Sequence, residues 1–185
     1  MNPIEELKTE HRAVEESLRI LEAICRKIEA ERRVSAPQDI ERLLEFFAVF
    51  VDTCHHGKEE TLLFPALERE GVSRRGGPIG VMLAEHESGR AHIAGMRRAL
   101  AEAQAGSSPA ASDFIHHARG YADLLRQHIF KEDNVLFRIA DERLPADVKA
   151  GLQQGFERIE EEKVGRGRHE AFHRMLDELG RAYGG

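Results

Sequence analysis

The sequence predicts an all-α protein, an antiparallel up-down-up-down four-helix bundle with additional C-terminal helices. Three observations lead there. Apolar residues recur at three- and four-residue spacing through four long segments, the period of one helix face. No segment alternates apolar and polar residues as a half-buried strand would. The connections between the segments are short, which suits antiparallel neighbours.

In the first segment Ile4, Leu7, Val14, Leu18, Leu21, Cys25 and Ile28 form the apolar stripe, and His11 fills one of its steps. Pro3 suits a first helical turn, where its missing N–H costs nothing, and the run Ser35 to Asp39 breaks the chain. The second stripe reads Ile40, Leu44, Phe47, Val51, then His55 and Glu59, then Leu62 and Ala66, and ends in a Gly/Pro-rich turn before residue 78. The third reads Ile79, Met82, His86, Gly89, Ile93, Met96 and Leu100, with Ser107 or Ser108 as a cap for the helix that follows. The fourth reads Phe114, His117, Tyr121, Leu124, His128, Glu132, Val135 and Ile139. Beyond Pro145 come a weaker helix (Val148, Leu152, Phe156, Ile159), a Gly-Arg-Gly break and a final short helix around Phe172 to Tyr183. We divide the chain into a bundle, residues 1–143, and a helical extension packed on it, residues 144–185.

Composition narrows the class. The 185 residues, 41% apolar and 32% charged, can build one core with a charged surface. Lys and Arg number 27 against 33 Asp and Glu, a formal net charge of −6, so no phosphate-tracking face is evident and nucleic acid is not an expected partner. No apolar run reaches the ~18 residues of a membrane span. The first twenty residues carry charges from Glu5 through Arg19 and do not read as a signal peptide. Two cysteines, Cys25 and Cys54, make no disulfide framework. The expectation is a cytoplasmic protein, monomer or homodimer.

The chain repeats itself. His55-x-x-Lys58-Glu59-Glu60 matches His128-x-x-Lys131-Glu132-Asp133, and Glu10-His11 is echoed by Glu85-His86. Two similar hairpins make a bundle with a pseudo-twofold axis, and donors repeated in both would meet near it. The repeated donors are His11, His55, Glu59, His86, His128 and Glu132. An i,i+4 His/Glu pair shares one helix face. At about 1.5 Å per residue, the roughly equal distances from each donor to its connecting loop place all six near one level of the bundle. A lone histidine on an apolar stripe is ordinarily a core residue. Six such groups at one level, with no cation among them, would leave buried charge uncompensated at several kcal/mol per group. A bound cation resolves this. Imidazole and carboxylate without thiolate suit iron, manganese or zinc. Six donors exceed one tetrahedral site, and carboxylates that bridge suit a metal pair, for which iron is our choice.

His56 and Glu60 form a rival His-x-x-x-Glu pair. The fourth helix has Ile129 where His56 stands, and the His56 face carries Glu45, Asp52 and Thr53, so His56 is expected to be solvated or to lie behind the ligands. His92, His116 and His117 fall off the ligand level and are expected on a polar face or in the core. Tyr121 is expected in the core or beside the metals, and Cys54 as an inert buried thiol.

These residues resemble the hemerythrin-like (HHE cation-binding) family over about residues 3–142, through the stretches HHGKEETLLFPALE (55–68), GPIGVMLAEHESGR (77–90) and HIFKEDNVLF (128–137). The resemblance implies a di-iron centre, oxo- or hydroxo-bridged, with two bridging carboxylates and the six donors above as ligands; zinc or manganese are alternatives. Its ligands would be O2, NO or peroxide, in sensing, redox or iron-centre protection. The alternative is iron storage, delivery or a structural metal site without catalysis. Whether the chain is an enzyme is left open; an active form would be a weak di-iron oxidoreductase. Two departures stand out. Oxygen carriers of the family have a second histidine one turn after the third-helix histidine, where this chain has Arg90, and an aspartate five residues after the fourth-helix histidine, where this chain has Glu132 at four and Asp133 beside it. One metal is then expected to lack a protein ligand, left to an exchangeable molecule or to the tail.

The tail itself contains His169-Glu170-x-x-His173, the zinc-peptidase spacing. A peptidase also needs a third ligand and a substrate cleft, so we read it as a chance pattern or as a fold-back supplying His169 or Glu170 to the centre. A ferritin-like site would need Glu-x-x-His on two helices; the sole instance is Glu170 to His173.

Overall fold

A computed structural model describes residues 2–106, 110–165 and 167–184. Ser107 and Ser108, expected as caps, lie outside the described residues. Among those described, six helices and no strand are present. Helix α1 is Pro3–Glu31. Helix α2 runs over residues 37–69, α3 is Pro78–Gln104, α4 covers residues 110–143, α5 residues 146–164, and α6 is Arg168–Tyr183. No described helix is long and apolar enough to cross a membrane.

Local chemistry sets the ends of α1. The Asn2 side chain accepts from the Ile4 N–H at 3.0 Å, Pro3 takes the first turn, and Arg32 closes the helix in the left-handed region at φ 53°. Cross-helix pairs fix the topology. Along α1, His11, Glu22 and Glu29 meet Asp133, Arg126 and Arg119 of α4, a rising series against a falling one. Glu60 and Asp52 of α2 meet His86 and Arg90 of α3 in the same antiparallel sense. The four long helices are therefore the expected up-down-up-down bundle.

The core falls into two apolar clusters. One, between the α1–α2 and α3–α4 connections, joins Leu18, Phe47, Met96, Phe114 and Leu125 to Phe172 and Leu176 of α6. The other, toward the opposite end, joins Leu7, Phe64, Met82 and Phe137 to Leu152 and Phe156 of α5. Both C-terminal helices thus share cores with the bundle. Between the clusters lies a buried polar stratum: Glu10, His11, His55, His56, Lys58, Glu59, His86, His128 and Glu132.

Helices α2 and α4 do not cross this stratum as regular α-helices. Phe47–His56, Glu59–Leu63 and Glu132–Leu136 form π-turns, in which Gly57, Phe64 and Phe137 donate to the carbonyls of Asp52, Glu59 and Glu132, five residues back. A wider turn narrows the angle between successive side chains, so more neighbours in sequence face inward together.

Candidate metal centre

The structure brings all six predicted donors together. His128 Nε2 and His11 Nε2 lie 3.2 and 3.3 Å from Glu132 Oε2. His55 Nε2 and His86 Nε2 lie 3.5 Å from Glu59 Oε1 and Oε2 respectively. Each carboxylate therefore spans donors from both hairpins, as the internal repeat implies. Among the described residues, two buried groups here bring one donor atom each within 4.8 Å of one another: His11, His55, Glu59 and Glu132; and His56, Glu59, His86 and His128. Glu59 belongs to both.

His56 is not solvated, which was one of the two places expected for it. It is 3% exposed, and its ring stacks on His86 with centroids 3.8 Å apart. The expectation of a solvated residue assumed a uniform α-helix. The π-turn Phe47–His56 instead turns His55 and His56 inward together. His56 thus arrives from α2 beside His86, and the two belong to one metal-capable group. Arg90 donates to Asp52 at 2.8 Å and Glu60 at 2.7 Å, so it pairs with carboxylates that also face His56 and His86.

The tail does not enter the centre. His169 faces Glu160 (3.8 Å) and the Phe50 ring, and Glu170 is exposed beside Arg174. Neither tail histidine belongs to a metal-capable group among the described residues. With Glu170 in solvent, the His-Glu-x-x-His spacing makes no peptidase site. His92 and His117 pair across α3 and α4 at 3.4 Å (Nδ1 to Nδ1), each ring lying where a Cβ on Gly120 or Gly95 would stand. Tyr121 is a core residue: its ring packs 4.8 Å from that of Phe47, and its hydroxyl has no hydrogen-bond partner. Cys54 is buried, and burial pushes its thiol up to about 12.

A second ring of residues orients the first. His11 Nδ1 donates to Asp133 (2.8 Å), His55 Nδ1 to Glu10 (2.7 Å), His86 Nδ1 to Glu60 (2.7 Å) and His128 Nδ1 to Glu85 (3.0 Å). His56 Nδ1 lies 3.4 Å from Asp52. A carboxylate only accepts, so each imidazole carries a proton on Nδ1 and turns its Nε2 atom toward the centre. Ligating histidines are commonly oriented in this way. The four closest pairs obey the pseudo-twofold: Glu10 and Glu85 precede a histidine, while Glu60 and Asp133 follow a central carboxylate. The duplicated Glu-His and Glu-acid dipeptides were the signal in the sequence; no comparable repeat announces His56.

The electrostatics describe a centre short of positive charge. Burial and the neighbouring Glu132 push Glu59 well above the carboxylate range. Burial acts upward on Glu132 too, but His128 and His11 hold it well below. Burial would lower His11 and His128, yet Asp133 and Glu132 for the first, and Glu132 and Glu85 for the second, raise both to about 9. Both oxygens of Glu59, both of Glu132 and His11 Nε2 are buried with no hydrogen-bond partner. Buried groups of this kind are normally satisfied, and a pair of divalent cations would satisfy them all. The donor set and the orphaned atoms therefore fit a metal pair.

No curated protein and no solved structure matches the chain significantly. The family model described as the hemerythrin HHE cation binding domain does match, over residues 2–140. That span covers the four bundle helices up to the last three residues of α4 and every member of the buried His/Glu stratum, and on it the chain belongs to the hemerythrin HHE cation-binding family.

Proposed function

We propose that the chain holds two iron ions in this stratum and that the pair binds or reacts with O2, NO or peroxide. One ion would be held by His11 and His55, the other by His56, His86 and His128, with Glu59 and Glu132 shared between them. The observation that carries the reading is the set of orphaned carboxylate oxygens at the meeting point of five imidazoles whose Nδ1 atoms face carboxylates. Hard carboxylate oxygens with imidazole suit iron, and zinc or manganese fit the same donors less selectively.

When bound, an iron pair supplies redox change and open coordination for a small ligand. The protein's own contributions are orientation and exclusion of water. The Nδ1 bonds hold the rings toward the centre, and the two apolar clusters seal the stratum from both ends. The division of three imidazoles against two makes the ion beside His11 and His55 the one poorer in protein donors. That is the side on which an exogenous diatomic molecule would bind, rather than the Arg90 side.

The test is metal analysis followed by optical spectra of the anaerobic, reduced protein before and after O2 or NO. Two irons per chain and a new charge-transfer band are expected. Two irons with no spectral response would favour storage or delivery, and no bound metal would end the reading.

A further inference from the structure

The third metal-capable group among the described residues, Glu10, Cys54 and Glu160, already has a cation at hand. Lys58 is fully buried, and its ammonium donates to Glu10 at 2.6 Å, Glu6 at 2.7 Å and Glu160 at 2.7 Å, with the Phe156 ring centred 5.4 Å away. A buried ammonium is tolerated only where such partners surround it. Three carboxylates from two parts of the chain do so here: Glu6 and Glu10 from α1, and Glu160 from α5. Glu6 is also held from α5, accepting from Gln153 Nε2 at 2.7 Å.

Glu10 faces two ways. Its Oε1 accepts from Lys58 and its Oε2 from His55 Nδ1 at 2.7 Å. A carboxylate is rigid, so wherever the ammonium sits determines where the imidazole is aimed. Three contacts fix a point in space. With two, Lys58 Nζ is free to swing about the line joining Glu6 and Glu10, and Glu10 no longer has a fixed direction for the bond that its Oε1 accepts.

The pseudo-twofold supplies an internal comparison. Lys131, the counterpart of Lys58, donates to Glu85, which in turn receives His128 Nδ1. Among the described residues Lys131 contacts one carboxylate where Lys58 contacts three, and the Lys131 side chain is 37% exposed where that of Lys58 is 0%. Of the two carboxylates that the Lys58 arm has in addition, Glu6 comes from α1 and Glu160 from the extension.

We propose that Glu160 is a positioning residue for His55, acting through Lys58 and Glu10, so that retention of the ion beside His11 and His55 depends on the C-terminal extension. The proposal rests on the two-metal reading above. Outer partners of metal ligands are typically worth 10–100-fold in affinity. Glu160 acts one link further out, so its effect should sit near the low end, about tenfold.

The test uses the full chain loaded with zinc, a diamagnetic stand-in, with nitrogen NMR of the imidazoles during titration with a chelator. In Glu160→Gln, the His11 and His55 Nε2 signals should revert to metal-free positions at about tenfold lower chelator than in the wild type, while His56, His86 and His128 hold. Glu178→Gln removes a different extension contact, with Arg42 at 2.5 Å, and should change neither set. Release of all five histidines together, or no change in Glu160→Gln, overturns the proposal. If the chain takes up no zinc, the two-metal reading fails by itself, and the metal-free chain still decides the positioning role. A single Nδ1–H tautomer of His55 that becomes averaged in Glu160→Gln supports it, and identical spectra in both overturn it.

Discussion

At the scale of single residues, function rests on where a proton sits and which atoms lack a partner. Removing one imidazole should cost the ion it faces. His55→Ala and His56→Ala should each reduce bound metal from two per chain toward one, read by elemental analysis after dialysis; a His56→Ala protein that keeps both would return His56 to the outer ring. Glu59 is common to both groups, so Glu59→Gln should lose both ions and be more severe than either histidine change. The outer carboxylates set ring orientation rather than contact metal, so Asp133→Asn and Glu60→Gln should weaken binding by roughly 10–100-fold without abolishing it. Competition with a coloured chelator measures this directly.

At the scale of elements, two devices shape the centre. The first is the π-turn in α2, which presents His55 and His56 together. π-turns are uncommon and recur at functional sites because they re-aim side chains without ending a helix. The second is the extension. Its helix α6 lies on α1 and α2 through Phe172, Met175 and Leu176, and its histidines stop short of the stratum. The double substitution His169→Ala/His173→Ala should therefore leave metal stoichiometry at the wild-type value. Loss of an ion in that protein would place the tail in the centre and undo the assignment of His56.

At the scale of the whole molecule, the polar stratum divides the core, so occupancy of the centre should couple to global stability. Ions that bind the folded state alone stabilise it by mass action. Chelation should lower the melting temperature by several degrees, at about 2–4 °C per kcal/mol for a chain of this size. The metal-free protein should also show a distinctive pH dependence. His11 and His128 are raised from 6.5 to about 9. Their contribution is complete below 6.5 and is lost as pH climbs through 9. The metal-free melting temperature should accordingly fall between pH 6.5 and 9.5. The loaded protein, whose imidazoles are neutral and ligated, should show much less of this slope. At the acid end, the His55 hydrogen bond and Lys58 outweigh the upward effect of burial on Glu10, and the His86 hydrogen bond dominates at Glu60. Both carboxyls are held at about 2, against an ordinary 4.5. Their contribution is present above 4.5 and is lost as pH falls toward 2. Calorimetry across both ranges, with and without chelator, checks the signs.

Much of this was legible in the residue order alone. The 3.6-residue period reads directly as helices because a helix must bury one stripe. The internal repeat located His11, His55, Glu59, His86, His128 and Glu132, since a duplicated hairpin returns equivalent residues to one axis. What the linear pattern could not carry was anything depending on departures from a regular helix or on contacts between distant segments. His56 reads as outward-facing at 100° per residue, and only the i→i+5 turns, stabilised by the packing around them, bring it in. The partnership of Lys58 with Glu160 spans about a hundred positions and obeys no period. It exists because α5 docks against the first two helices, and that docking was settled by burial of Phe156 and Leu152 rather than by any motif.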